Sequence, residues 1–164
     1  MNLTFTTGTL SDAQQLSILG LLSYGVFEKT LGDEWQTMKS NMEDLQAMQE
    51  LINKAQTFIC KDGEYVVGMI FLVPSGNPTN IYRADQCYIR KLGVHPEYNG
   101  KGIASNLVDM CITAAKANGE HTIALHTSEF MDAARHIYEN IGFSIEKEID
   151  PIFGKRYWLY TLTL

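Results

Sequence analysis

Apolar residues recur along this chain with two periods, and the points where one gives way to the other mark out its elements. Leu3 to Thr7 alternates and predicts a short first strand. Ser11-Asp12 then opens a helix, with Ser11 as cap and Gln14 three residues on. Ala13, Leu16, Leu19, Ser23 and Val26-Phe27 follow at helical spacing, until Leu31-Gly32-Asp33 breaks the pattern. A second helix carries Met38, Met42, Leu45, Met48 and Ile52 on one stripe, where methionine serves as adaptable core filling.

Thr57 to Lys61 reads as a strand, Asp62-Gly63 as a hairpin turn, and Tyr65 to Val73 as the returning strand. Pro74-Ser75-Gly76-Asn77-Pro78 ends it, and another strand covers about Ala84 to Val94. Ile103, Leu107, Cys111 and Ala114 mark the buried stripe of a helix that stops at Asn118-Gly119. Thr122 to Thr127 is a strand and Met131 to Ile141 a short helix. Two last strands, about Ser144 to Ile149 and Arg156 to Leu162, flank a turn at Asp150-Pro151 and Gly154. The order β-α-α-β-β-β-α-β-α-β-β predicts an α/β protein with a mixed sheet and helices on both faces.

At 164 residues one domain, spanning 1–164, is expected. Acidic residues outnumber basic ones, 19 to 13, which argues against a nucleic-acid partner and mildly favours a cationic small substrate. Cys60, Cys87 and Cys111 are odd in number and lack metal-ligand spacing. They read as buried thiols in a reducing compartment, so a cytoplasmic protein without a metal is expected. No apolar run is long enough to predict a membrane span, and the first residues lack the basic and apolar regions of a signal peptide.

The chemistry concentrates in Leu92-Gly93-Val94-His95-Pro96-Glu97-Tyr98-Asn99-Gly100-Lys101-Gly102-Ile103-Ala104. A strand runs through a proline-marked turn into a glycine loop and then a helix start. Gly100 and Gly102 let backbone N–H groups turn inward with no Cβ in the way. A helix N-terminus favours an anion, so a pyrophosphate-bearing cofactor is the first expectation. A P-loop fails on spacing, because Gly93 lies too far upstream of Gly100-Lys101 and Gly102 follows the lysine. The dinucleotide fingerprint fails because Ser105 stands at its third glycine.

Two segments resemble the GNAT superfamily of acetyl-CoA-dependent N-acetyltransferases. One is Val94-x-Pro96 followed by Asn99-Gly100-Lys101-Gly102-Ile103-Ala104, similar to the family's Arg/Gln-x-x-Gly-x-Gly/Ala loop. The other is Leu125-His126-Thr127, Ala134 and Ile137-Tyr138-Glu139-Asn140-Ile141-Gly142-Phe143, similar to its Tyr-x-x-x-Gly-Phe ending. The resemblance covers almost the whole chain. It implies fourth and fifth strands that splay apart, here Ala84–Val94 and Thr122–Thr127, with acetyl-CoA in the gap.

By that resemblance Leu92, Gly93 and Val94 flank the pantetheine arm, and the Val94 N–H meets the acetyl oxygen. Asn99, Gly100, Lys101, Gly102, Ile103, Ala104 and Ser105 wrap the pyrophosphate, with Lys101 either adding charge or simply solvated. Met131 stands where many relatives carry an Asn that touches the cofactor, and Asn99 replaces the usual Arg or Gln. Tyr138 occupies the general-acid position; a phenol, with an ordinary pKa of about 10, stays protonated near neutrality. On the residues alone it reads first as a core tyrosine in line with Ala134 and Ile141, and the flanking motif reverses that order.

The strand Glu that serves some GNAT enzymes as base is Tyr88 here. Asp85, Glu28 and Glu129 are the carboxylates weighed in its place, beside His95 in the turn and His126 on a strand. Tyr24, Phe27, Glu28, Trp35, Tyr157 and Trp158 are candidate walls for an organic cation. The expected activity is acetyl transfer to a primary amine of a small molecule, such as a polyamine, aminosugar or amino acid, or of a peptide. The alternatives are a non-catalytic acyl-CoA sensor and an O-acetyltransferase. A homodimer through the apolar segment Arg156–Leu164 is a further expectation.

Overall fold

The alternating segments form one seven-stranded sheet, and the computed structural model describes residues 1–164 throughout. The strands are β1 (Leu3–Thr7), β2 (Gln56–Asp62), β3 (Tyr65–Val73), β4 (Cys87–Val94), β5 (Thr122–Ser128), β6 (Ser144–Ile152) and β7 (Lys155–Thr163), in the order β1-β2-β3-β4-β5-β7-β6. The helices are α1 (Ala13–Tyr24), α2 (Glu28–Leu31), α3 (Trp35–Glu43), α4 (Leu45–Lys54), α5 (Ile103–Ala117) and α6 (Asp132–Ile141). All pairings are antiparallel except β4 with β5, so the mixed sheet expected from the pattern is present.

Both faces of β3 are covered, which is why Val66 to Val73 is one unbroken apolar run apart from Gly68. On one face β3 packs with Leu16, Leu19, Met48 and Ile52 from α1 and α4. On the other, Ile103, Leu107, Cys111 and Ala115 of α5 join Tyr138 and Phe143 in the largest core cluster. Ala115 rather than the expected Ala114 completes the buried stripe. A Cβ at Gly68 would stand 2.6 Å from Ile103 Cγ2, so glycine there lets the start of α5 sit directly on the sheet. All three cysteines are buried free thiols.

The elements depart from the sequence pattern at four places. The expected second helix is two, because Asp44 leaves helical geometry and its Oδ1 accepts the Ala47 N–H at 3.1 Å to cap α4. The methionine stripe therefore divides: Met38 and Met42 pack with Leu31 and Trp35, Met48 with α1, and Leu45 is exposed. Thr9 rather than Ser11 starts the first helical segment, donating its N–H to Asp12 Oδ2 at 2.8 Å. β4 begins at Cys87, not Ala84, because residues 74–86 form a loop that buries Tyr82 flat against Tyr88.

The last hairpin turns at Phe153-Gly154, where both residues have positive φ, 53° and 69°, and Ile152 pairs with Lys155. Such a two-residue loop matches strand twist, and Asp150-Pro151 instead lies within β6. Proline is tolerated there because β6 is the outer strand of the sheet. β7 pairs on both sides, with β5 and β6, so its backbone has no free edge for the expected cross-dimer pairing. A strand-to-strand dimer would have to use an outer strand, β6 or β1.

Candidate active site

β4 and β5 are joined only at Cys87–Ile123 and Tyr88–Ala124. Beyond those pairs β4 follows β3 and β5 follows β7, and the sheet opens. A cavity of about 680 Å³ fills the opening. The splay expected of the fourth and fifth strands is thus present, and it leaves one edge of β4 without a strand partner.

β4 is itself irregular at this point. Phe71 faces Arg90 and Met69 faces Gly93, so β4 carries one extra residue opposite Ile70. Lys91 sits at φ 51°, the left-handed region that side chains avoid, at about 1–2 kcal/mol. A regular strand would send alternate residues to opposite faces. The bulge lets Arg90, Lys91, Leu92, Gly93 and Val94 all line the cavity. A Cβ on Gly93 would stand 2.7 Å from Ser23 Oγ, so glycine admits α1 against the bulge. The Tyr24 hydroxyl donates to the Leu92 carbonyl at 2.9 Å and occupies one of its two lone pairs.

Past β4 the His95 N–H donates to the Val67 carbonyl, and Pro96–Tyr98 forms a short helical turn. Gly100 and Gly102 follow with φ of 76° and 77°. Gly102 is the N-cap of the 15-residue α5, and no side chain caps that end. The first intrahelical bond closes from Asn106 N–H to Gly102, so the preceding N–H groups are unpaired within the helix. Such a start attracts an anion. Asn99 and Ala104 line the cavity beside it. Gly100, Lys101, Gly102, Ile103 and Ser105 do not; the first three are exposed, and Ile103 turns its side chain into the core. Only the backbone of Ile103 can serve a ligand.

Across the cavity, α6 supplies Tyr138 and its preceding turn supplies Met131. Tyr138 is 5% exposed and meets Phe143 edge-on, with centroids 5.8 Å apart. Burial, reinforced by nearby Tyr24 and Tyr82, pushes its hydroxyl well above the ordinary phenol value. Met131 sulfur accepts from Thr127 Oγ1 at 3.5 Å.

The structure separates the candidate bases. Asp85, Glu28 and Glu129 are exposed and outside the cavity. Tyr88 is buried between Tyr82 and the sheet, with Lys54 Nζ donating to its hydroxyl at 3.4 Å. His95 Nδ1 accepts the Glu97 N–H, fixing that ring as a turn cap. His126 alone among them lines the cavity, hydrogen-bonded through Nδ1 to the Tyr82 hydroxyl. Of the candidate walls, Tyr24, Phe27 and Tyr157 face the cavity, while Trp35 is core and Trp158 is held between the guanidinium groups of Arg135 and Arg156. The sequence pattern missed Arg90, Lys91, Asp44, Phe130 and Phe153, which also line it. Only Arg90 gave a signal, since it shares strand parity with Tyr88.

Burial, aided by the charge of Arg90, lowers the His126 pKa from 6.5 to about 4. The unfolded chain therefore binds a proton between pH 6.5 and 4 that the folded one refuses. His126 is neutral at pH 7, and stability falls as pH drops through this window. The expected loss from this group is about 2 kcal/mol between pH 7 and pH 4.5. Denaturant melts at the two pH values should show it. His126→Asn, which keeps an acceptor for Tyr82, should lose less; an equal loss would remove the assignment.

A model of the Acetyltransferase (GNAT) family matches residues 26–143. Among curated relatives, probable N-acetyltransferase camello of Xenopus tropicalis is 23% identical over 150 residues, covering 89% of this chain and 66% of that protein. The uncharacterized N-acetyltransferase YoaP of Bacillus subtilis is 27% identical over 136 residues, covering 80% of this chain and 50% of that one. The chain thus spans about half to two-thirds of the length of these relatives. Solved acetyltransferase structures share the fold, two among them with the cofactor bound. PaiA N-acetyltransferase of Thermoplasma acidophilum, in complex with coenzyme A, superposes with a TM-score of 0.81 at 15% identity, over 100% of both chains. A putative acetyltransferase, yncA, of Salmonella typhimurium with acetyl-CoA gives 0.72 at 16% identity, over 99% of this chain and 94% of that one. The matched region runs from just past α1 through Phe143 and takes in the bulged strand, the uncapped helix start and Tyr138, and the chain belongs to the GNAT acetyltransferase family.

Proposed function

We propose that this protein transfers the acetyl group of acetyl-CoA to a primary amine by direct attack. One observation carries the reading: a single cavity joins the unpaired edge of β4, the uncapped start of α5 and Tyr138. Acetyl-CoA supplies an acyl carbon activated as a thioester. The β4 edge offers backbone groups from Leu92 to Val94 to amides laid alongside it, and the N–H groups at Gly100 to Ser105 hold the pyrophosphate. Holding both reactants makes the step effectively unimolecular. The amine nitrogen forms its bond to the acyl carbon as the carbon–sulfur bond breaks. Tyr138 gives its hydroxyl proton to the sulfur, which keeps the bond pair, and the surplus amine proton returns to the phenolate through cavity water. No carboxylate is assigned as base.

No helix is long and apolar enough to cross a membrane. The three reduced thiols support a cytoplasmic location. Calorimetric titration with acetyl-CoA should give a micromolar dissociation constant, about −8 kcal/mol. Thiol release should then follow on adding a mixture of primary amines. No binding up to millimolar acetyl-CoA would end this reading. Tight binding without thiol release from any amine or alcohol would turn it into that of a sensor.

A further inference from the structure

Arg90 lines the cavity half-buried, yet it forms no salt bridge and no side-chain hydrogen bond within the protein. The five ion pairs present use Lys39, Lys61, Arg83 and Arg156 instead. A guanidinium removed from part of its water without a partner is costly, and a bound anion relieves that cost. Lys91 stands beside it, turned to the same cavity by the bulge. Burial and the charge of Arg90 together bring Lys91 down to about 8, so it is mostly charged at neutrality. Two acids also line the cavity. Asp44 has one oxygen committed to capping α4, and Asp132 lies in the first turn of α6.

The position of Arg90 separates it from the phosphate cradle. Arg90 lies two residues past Tyr88, the last β4 residue paired with β5, so it stands where the split begins. Arg90 faces Phe71 and Val94 faces Gly68, three steps along β3 or about 10 Å, and the glycine loop is farther still. Phe27, Phe130, Phe153 and Tyr157 form an apolar wall around the same space, with Phe27 and Phe130 edge-on at 4.9 Å. Although Asp44 and Asp132 offset the two cations, the half-buried guanidinium of Arg90 has no partner, so the space suits an amine that also bears an acid.

Building on the acetyltransferase reading above, we infer that the acceptor is a carboxylate-bearing amine, an amino acid or short peptide with an apolar side chain, whose carboxylate pairs with Arg90. Arginine suits this task because its planar fork meets both carboxylate oxygens. Lys91 adds charge without that geometry.

The test compares thiol release from acetyl-CoA with two matched mixtures: free L-amino acids and dipeptides, and the same compounds as C-terminal amides. The acids are expected to react at least tenfold faster in kcat/KM, phenylalanine and leucine among the best. Arg90→Gln should raise KM for the best acid at least tenfold, leave KM for acetyl-CoA within twofold, and abolish the preference over the amide. Arg90→Lys should recover only part of the loss. Amides reacting as fast as acids would overturn the inference. So would Arg90→Gln raising KM for acetyl-CoA instead, because the anion would then be a cofactor phosphate. Acetyl-CoA binding without turnover of either mixture overturns it too, whereas failure to bind acetyl-CoA removes the acetyltransferase reading itself. The wild-type comparison of acids with amides stands even if the variants fail to fold.

Discussion

Replacing Tyr138 by Phe should lower kcat by about 10²- to 10³-fold while leaving acetyl-CoA affinity within twofold. The ring is 5% exposed and packs edge-on against Phe143, and phenylalanine keeps that packing. The fold should therefore survive, and the melting temperature should move by less than about 3 °C. What is lost is one O–H aimed at the cavity. Burial and the neighbouring phenols hold that hydroxyl well above the ordinary value, with two consequences. The group stays protonated at neutrality and above, so no alkaline limb near pH 10 should come from it. It is also a weak acid, so its proton transfers only as the sulfur departs. The variant should thus lose most on acceptors for which carbon–sulfur cleavage limits the rate. Single-turnover kinetics with saturating acetyl-CoA would show the loss in the chemical step. An unchanged kcat would make Tyr138 a core residue and leave the thiolate to water.

The seven strands and the main helices were legible because each carries a local signal: alternation in β1, an unbroken apolar run in β3, a three-four stripe in α5. The cradle was legible for a related reason, since Gly100 and Gly102 are needed where φ exceeds 70°. What stayed hidden depends on contacts remote in sequence. The bulge at Lys91 carries no glycine to mark it, and its register exists only against Ile70 on β3. Without the bulge, parity places Arg90 and Lys91 on opposite faces, so the paired cations could not be read. Phe153 hid in the same way. An aromatic at φ 53° is unexpected in a two-residue turn, and only its packing against the cluster of Leu31, Trp35, Met38 and Met42 explains it. Glu28 shows the opposite error. Helical spacing put it near the expected wall, but the chain leaves α1 through a tighter turn at Gly25–Phe27 and points it to solvent.

Gly100→Ala combined with Gly102→Ala should weaken acetyl-CoA binding at least 30-fold, about 2 kcal/mol. In the free protein neither new methyl meets an obstacle. A Cβ at Gly100 finds nothing within 4 Å, and one at Gly102 finds only Asn106 Nδ2 at 3.8 Å. The penalty to folding is then conformational, about 1 kcal/mol for each residue held at positive φ. On the proposed reading the penalty to binding is larger, because the anion would approach through the open space at Gly100. Relaxing either residue toward negative φ also turns N–H groups away, and a hydrogen bond to a charged group is worth about 1.5–3 kcal/mol. Gly119→Ala supplies the control. That glycine has φ 79°, has nothing within 4 Å of its Cβ position, and lies at the far end of α5. Its melting temperature should fall by a similar amount per residue while acetyl-CoA affinity stays that of the wild type. If all three substitutions weakened binding equally, the effect would be general destabilisation and the cradle would be only a turn. A loss confined to the Gly100 and Gly102 pair, with kcat at saturating acetyl-CoA retained, would assign the loop to holding the phosphates and leave the chemistry to the far wall of the cavity.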